Sequence, residues 1–278
     1  MKILVALFSL FFVLAPASFA EDDHPRPFDE NYAALPVVDE AIETARAENK
    51  RVLLVLGANW CHDSRGLAHH FEDPELSALL ADNYVLRFVD VHWFNENQAV
   101  MRRFGVTTVY GTPTVFIIDP DTDTLLNRAE RSQWTSAASA PIEDVRAYFS
   151  RYASSGEQSI DLVQTSLIYQ SMMIEIDLFE DDEGMRMAQA FTDLARWRAM
   201  DSSERPDNYS DLANELDSWR RQLPRDVVDL RGEARALIEN ALAEIVDDGA
   251  ITADTIAILD GHDPDLSLSF ERHESDVW

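Results

Sequence analysis

The sequence predicts an α/β unit followed by an all-α one, and three observations carry that reading. Val52 to Leu56 is a run of five apolar residues set between Arg51 and Gly57, the pattern of a strand buried on both faces. Helical periods and further strand-like runs alternate around it as far as Tyr152. Beyond Ser154-Ser155-Gly156, a composition that marks a boundary, the strand signal fades and only helical stripes remain.

In chain order, residues 21–32 are polar with two prolines and read as a mobile lead. Val37, Val38, Ala41, Ile42 and Ala45 recur at helical spacing, and Asn49-Lys50 closes that helix before the strand. A turn follows the strand, and Trp60-Cys61-His62-Asp63-Ser64 opens a helix that runs to about Phe71. Asp73-Pro74 starts another, with Asp73 as its cap, Pro74 in its first turn and Leu76, Leu79 and Leu80 on its buried side. Tyr84 to Val91 reads as a strand beside the first, Asn97 to Phe104 as a short helix, and Thr114 to Ile118 as a third strand. Asp119 to Asp123 is a turn, so Thr124 to Asn127 returns as a hairpin, and Pro141 to Tyr152 completes this unit as a helix. The unit spans residues 33–153.

Residues 159–260 then read as four helices with apolar stripes that must bury one another: Ile160, Val163, Leu167; Met187, Phe191, Leu194; Tyr209 to Leu223; and Val227 to Ile245. The expected breaks are Asp201 to Asn208 and Leu223-Pro224, and a shorter helix from Ala253 ends at Gly261. Met172 to Phe179 is richer in apolar residues than one helix face needs. It is either bundle core or an exposed patch for unfolded clients or self-association. Residues 261–278 form an acidic tail.

Residues 1–20 carry Lys2, an apolar run from Ile3 to Leu14, and small residues before Glu21, the arrangement of a cleavable secretory signal. That run is too short to span a bilayer, and no other segment comes closer, so the mature chain is expected in an extracytoplasmic compartment, a bacterial periplasm most simply. With 278 residues and 46% apolar content the chain can build real cores. Its net charge of -28 argues against nucleic acid and anionic membrane as partners. Export favours disulfides, yet Cys61 is the one cysteine, so no bridge can form within the chain.

Cys61 stands where a strand hands over to a helix, and there unpaired backbone N–H groups and the helix dipole favour a thiolate. Arg65, four residues on, adds positive charge. The alternative is a buried structural thiol. Strand, then W-C-x-x-S from Trp60 to Ser64, then Gly111-Thr112-Pro113-Thr114 resembles the thioredoxin superfamily over roughly residues 33–153. The resemblance implies a mixed sheet flanked by helices and thiol-disulfide exchange with protein or small-molecule thiols. It implies no cofactor.

The likeness also sorts the site residues. Cys61 takes the place of the nucleophile. Ser64 stands where dithiol members carry a resolving cysteine, and Val55 where many carry a buried acid. A mixed disulfide on Cys61 must then be released by an external thiol, which is isomerisation, deglutathionylation or client trapping. The Thr112-Pro113 bond is expected to be cis, presenting the Thr112 backbone to an extended client beside Trp60. Outside the likeness, Pro113 reads as an ordinary turn proline. Ser64 either donates to the sulfur or fills space, and His62 can assist the thiolate while Asp63 opposes it.

Other chemistry has weaker support. Cys61 with His62, His69, His70 and His92 invites a metal, but the spacing matches no tight ligand signature, so no metal site is assigned. A binding or chaperone module that keeps the fold without redox work is the alternative function. Both missing partners of the thiol suit it as well.

Overall fold

The strand Arg51–Gly57 (β1) forms because its side chains alternate between two apolar layers and every residue after Arg51 is buried. In the computed structural model, which describes residues 25–30, 33–153, 161–246, 250–262 and 265–275, β1 sits inside a four-stranded sheet. The expected signal at 1–20, the Ser154-Ser155-Gly156 boundary and Ile160 lie outside those residues. Tyr84–Asp90 (β2) pairs with β1 in parallel, Leu54 facing Arg87. Thr114–Asp119 (β3) pairs with it antiparallel, Leu54 facing Phe116, and Thr124–Leu125 (β4) closes the hairpin on β3. The sheet is therefore mixed, in the order β2-β1-β3-β4.

Helices Ala34–Glu48 (α1), His62–His70 (α2), Pro74–Asn83 (α3), Gln98–Arg103 (α4) and Ile142–Ala153 (α5) flank it. Asn49 ends α1 in the left-handed conformation, and Asp73 caps α3 by accepting from the Leu76 N–H. Leu53, Val55, Val115 and Ile117 share a cluster with Leu67, Leu76 and Phe149 on one face of the sheet. Val52, Leu54, Leu56 and Phe116 belong to the opposite layer, which holds α1 and α4. Each fully buried leucine contributes about 2 kcal/mol, so the unbroken apolar run is what a doubly covered strand requires.

The C-terminal region is all helical: Leu167–Arg198 (α6), Tyr209–Ile245 (α7) and Ala253–His262 (α8), preceded by a short 3₁₀ turn at Leu162–Thr165. Two expectations are corrected. The stripe joining Val163 to Leu167 is divided at Ser166, whose hydroxyl caps α6 and bonds Asp260 on α8. The expected break at Leu223-Pro224 is absent, and α7 is one helix of 37 residues with Pro224 inside it. Its buried face, Leu216, Trp219, Leu223, Val227, Leu230 and Ala234, continues in register through the proline, and breaking there would strand half of it in water. The lost backbone bond is the smaller cost. The Met172 to Phe179 stretch divides as well. Met172 and Ile176 are buried, whereas Ile174 and Leu178 are exposed.

The two long helices do not hide only one another. Met172, Ile176, Met187, Phe191, Leu216 and Trp219 join Val52, Leu54, Phe94 and Tyr110 in one buried cluster. At Gly184 on α6 the approach is close, since a Cβ there would stand 3.2 Å from the Thr107 side chain and 3.5 Å from the Tyr110 hydroxyl.

Candidate active site

Cys61 is the N-cap residue of α2, with extended backbone dihedrals and its carbonyl accepting the Arg65 N–H at 3.2 Å. Cys61 therefore stands at the positive end of the α2 dipole, though its side chain makes no capping hydrogen bond there. The Cys61 thiol donates to the Thr112 carbonyl 3.3 Å away, although the two residues are 51 positions apart in the chain. The Thr112-Pro113 peptide bond is cis. Cys61 is 9% exposed, so a partner reaches it along a restricted path.

Ser64, three positions on, is set into packing. It is fully buried, its hydroxyl has no hydrogen-bond partner among the described residues, and a Cβ on Gly57 would stand 2.6 Å from its Oγ. Of the two readings open for Ser64, the structure favours the one in which the side chain fills space, between α2 and β1. His62 is exposed on the first turn of α2, whereas Asp63 Oδ1 accepts from the Ala138 N–H at 3.1 Å. His69 pairs with Glu72 and His70 meets the Ala137 carbonyl. Among the described residues no group of three or more His, Cys, Asp or Glu could hold a metal ion.

Trp60 flanks the sulfur as a half-covered plate. Its ring stacks on Trp93 at 4.5 Å and its Nε1 donates to the His92 carbonyl. The Arg198 guanidinium of α6 lies 4.2 Å from the Trp93 ring centre, so a cation caps the aromatic pair. Next to this plate, Asp90 is buried at the end of β2 with Oδ1 accepting from the His92 N–H. Burial pushes its carboxyl above the ordinary carboxylate range, and the His92 bond works against that push.

The third wall comes from α7. Trp60, Cys61, Asp63, Phe94, Tyr110 and Thr112 share a cleft of about 560 Å³ with Arg220, Arg221, Pro224 and Arg225. Arg220 is a strut: it donates to the Tyr110 carbonyl at 3.1 Å, pairs with Asp217 and lies over the Phe94 ring. Tyr110 is in turn tied to α6, its hydroxyl donating to Glu180, which also pairs with buried Arg131. Burial and the Glu180 charge push that hydroxyl far above its ordinary pKa, so Tyr110 acts as a neutral donor.

Residues 33–120 match a family model described as thioredoxin-like. This segment of the chain is thioredoxin-like. Among solved structures, the disulphide isomerase from Xylella fastidiosa Temecula1 aligns with a TM-score of 0.43 at 23% identity, covering 47% of this chain and 98% of that one. No curated protein matches the sequence.

The thioredoxin-like segment brings Trp60, Cys61 and Thr112 to one cleft, with Pro113 buried directly behind Thr112. It leaves Ser64 below that cleft and His62 outside its lining. Sequence reasoning missed the arginines of α7 and the part played by Tyr110. One signal was available: Arg220-Arg221 and Arg225 form a basic cluster in a chain of net charge -28.

Proposed function

We propose that this chain is an exported monothiol thiol-disulfide exchange protein. Cys61, as thiolate, attacks one sulfur of a disulfide, and the other sulfur leaves as a thiolate. An external thiolate then attacks the mixed disulfide and frees Cys61, so sulfur–sulfur bonds are exchanged with no outside oxidant. The observation that carries this reading is the 3.3 Å contact between Cys61 Sγ and the Thr112 carbonyl at the N-terminus of α2. Trp60, Thr112 and Pro113 shape the partner's path, and His62, exposed on the first turn, supplies a titratable group nearby. Ser64 contributes by lacking a thiol. The test is a non-reducing gel of protein recovered from its native compartment. Adducts that vanish with reductant and are missing for Cys61→Ser support exchange, and a wild-type protein without adducts refutes it.

A second reading, a non-catalytic module that binds extended segments at Thr112, is favoured by one observation: Cys61 is only 9% exposed, so its sulfur is largely covered. Under that reading Cys61→Ser retains every client it captured.

A further inference from the structure

We infer that the small thiols and disulfides exchanging with Cys61 carry carboxylates, and that Arg221 and Arg225 of α7 hold them; this rests on the exchange reading above. The cleft, at about 560 Å³, falls in the size range of small-molecule sites. Its one lining acid, Asp63, is engaged by the Ala138 N–H, and Arg220 is engaged by Tyr110 and Asp217. Of the other two cations, Arg225 is unengaged among the described residues and Arg221 is held only by a carboxylate that Arg220 shares. Arg221 has a side chain 61% exposed that shares Asp217, and exposed Arg225 has no hydrogen bond or ion pair among the described residues.

Positions 221 and 225 are one helical turn apart and so lie on the same face. Two guanidiniums on one rim suit a carboxylate, which they bind in bidentate fashion, and they repel a thiol bearing an amine. In a chain of net charge -28 the surroundings would otherwise turn such an anion away. Arg225 also borders a second cavity, of about 590 Å³, in which Ala129, Val227 and Val228 give apolar surface beside the charged Glu130, Asp229 and Arg231. An apolar body attached to the carboxylate therefore has somewhere to lie.

The step adds nothing to the electron balance. The carboxylate stays intact while Cys61 sulfur bonds to one sulfur of the disulfide and the other departs as thiolate. Two probes separate charge from reactivity: dithiobis(nitrobenzoate), which carries carboxylates, and dithiodipyridine, which is neutral. Stopped-flow rate constants for Cys61 with each give an anionic-to-neutral ratio. That ratio is expected to drop about fivefold in the Arg221→Gln, Arg225→Gln double variant at fixed ionic strength. A ratio unmoved by the double variant, with both probes reacting, overturns the carboxylate assignment and leaves exchange standing. Failure of both probes to label Cys61 in the native protein overturns the exchange reading itself, whereas failure of the anionic probe alone overturns only the carboxylate assignment.

Discussion

Arg131, in the loop that follows β4, and Glu180, midway along α6, form an ion pair closed to water, with side chains 7% and 3% exposed. Burial works against the guanidinium's charge, and the Glu180 carboxylate and the Tyr110 contact more than offset it, so Arg131 keeps its proton more tightly than a free arginine. The pair joins the loop after β4 to α6. Glu180→Ala leaves an uncompensated buried cation and is expected to cost about 3–5 kcal/mol. Urea unfolding measures this, and the double variant Glu180→Leu, Arg131→Met should lose markedly less than the single one.

Ser64 is the position where a resolving thiol can be installed. Ser64→Cys should form a disulfide with Cys61, because residues three apart on a helix lie within bridging distance. Any mixed disulfide formed on Cys61 under the proposed exchange should then be released without added thiol, which mass spectrometry of trapped adducts detects. Ser64→Ala removes a hydroxyl with no partner and is expected to change stability by less than about 1 kcal/mol.

Asp90 sets a pH dependence. Its carboxyl is held above the ordinary value of 3.8 in the folded chain, chiefly by burial. The folded state therefore binds this proton more tightly than the unfolded one, and stability falls as pH rises from that value through the raised one. Asp90→Asn keeps an oxygen for the His92 N–H and should raise Tm near neutral pH while changing it little near pH 4. A Tm series against pH for both proteins reads the difference.

Pro224 supplies no N–H to the Arg220 carbonyl one turn earlier. Pro224→Ala restores that bond and is expected to stabilise the chain by about 1 kcal/mol or more. A loss in the urea midpoint would mean instead that the path of α7 across the cleft depends on the proline.

The features read correctly from sequence are those decided within a few residues. The unbroken apolar run of β1, the Asp73-Pro74 start of α3 and the hand-over from strand to helix at Cys61 are local choices of patterning and capping. Pro224 misled because a local penalty was weighed without the stripe that crosses it, from Leu216 to Ala234. Arg221 and Arg225 were out of reach for another reason. Nothing in their own neighbourhood says that α7 returns to Tyr110, more than a hundred positions earlier in the chain. The mixed sheet flanked by helices and the helical end stand as expected. The fate of Ser64 could not be read, because either hydrogen bonding or filling space suits a serine one turn after Cys61.

The buried cluster that runs from Val52 and Leu54 through Phe94 and Tyr110 to Phe191 and Trp219 makes the N-terminal part dependent on α6 and α7. A protein stopped at Ala153 would meet solvent with Phe94, Tyr110 and the lone Arg131 laid bare. Such a fragment should clump rather than report on the sulfur's reactivity, and one heating curve for the intact chain should show both parts melting together.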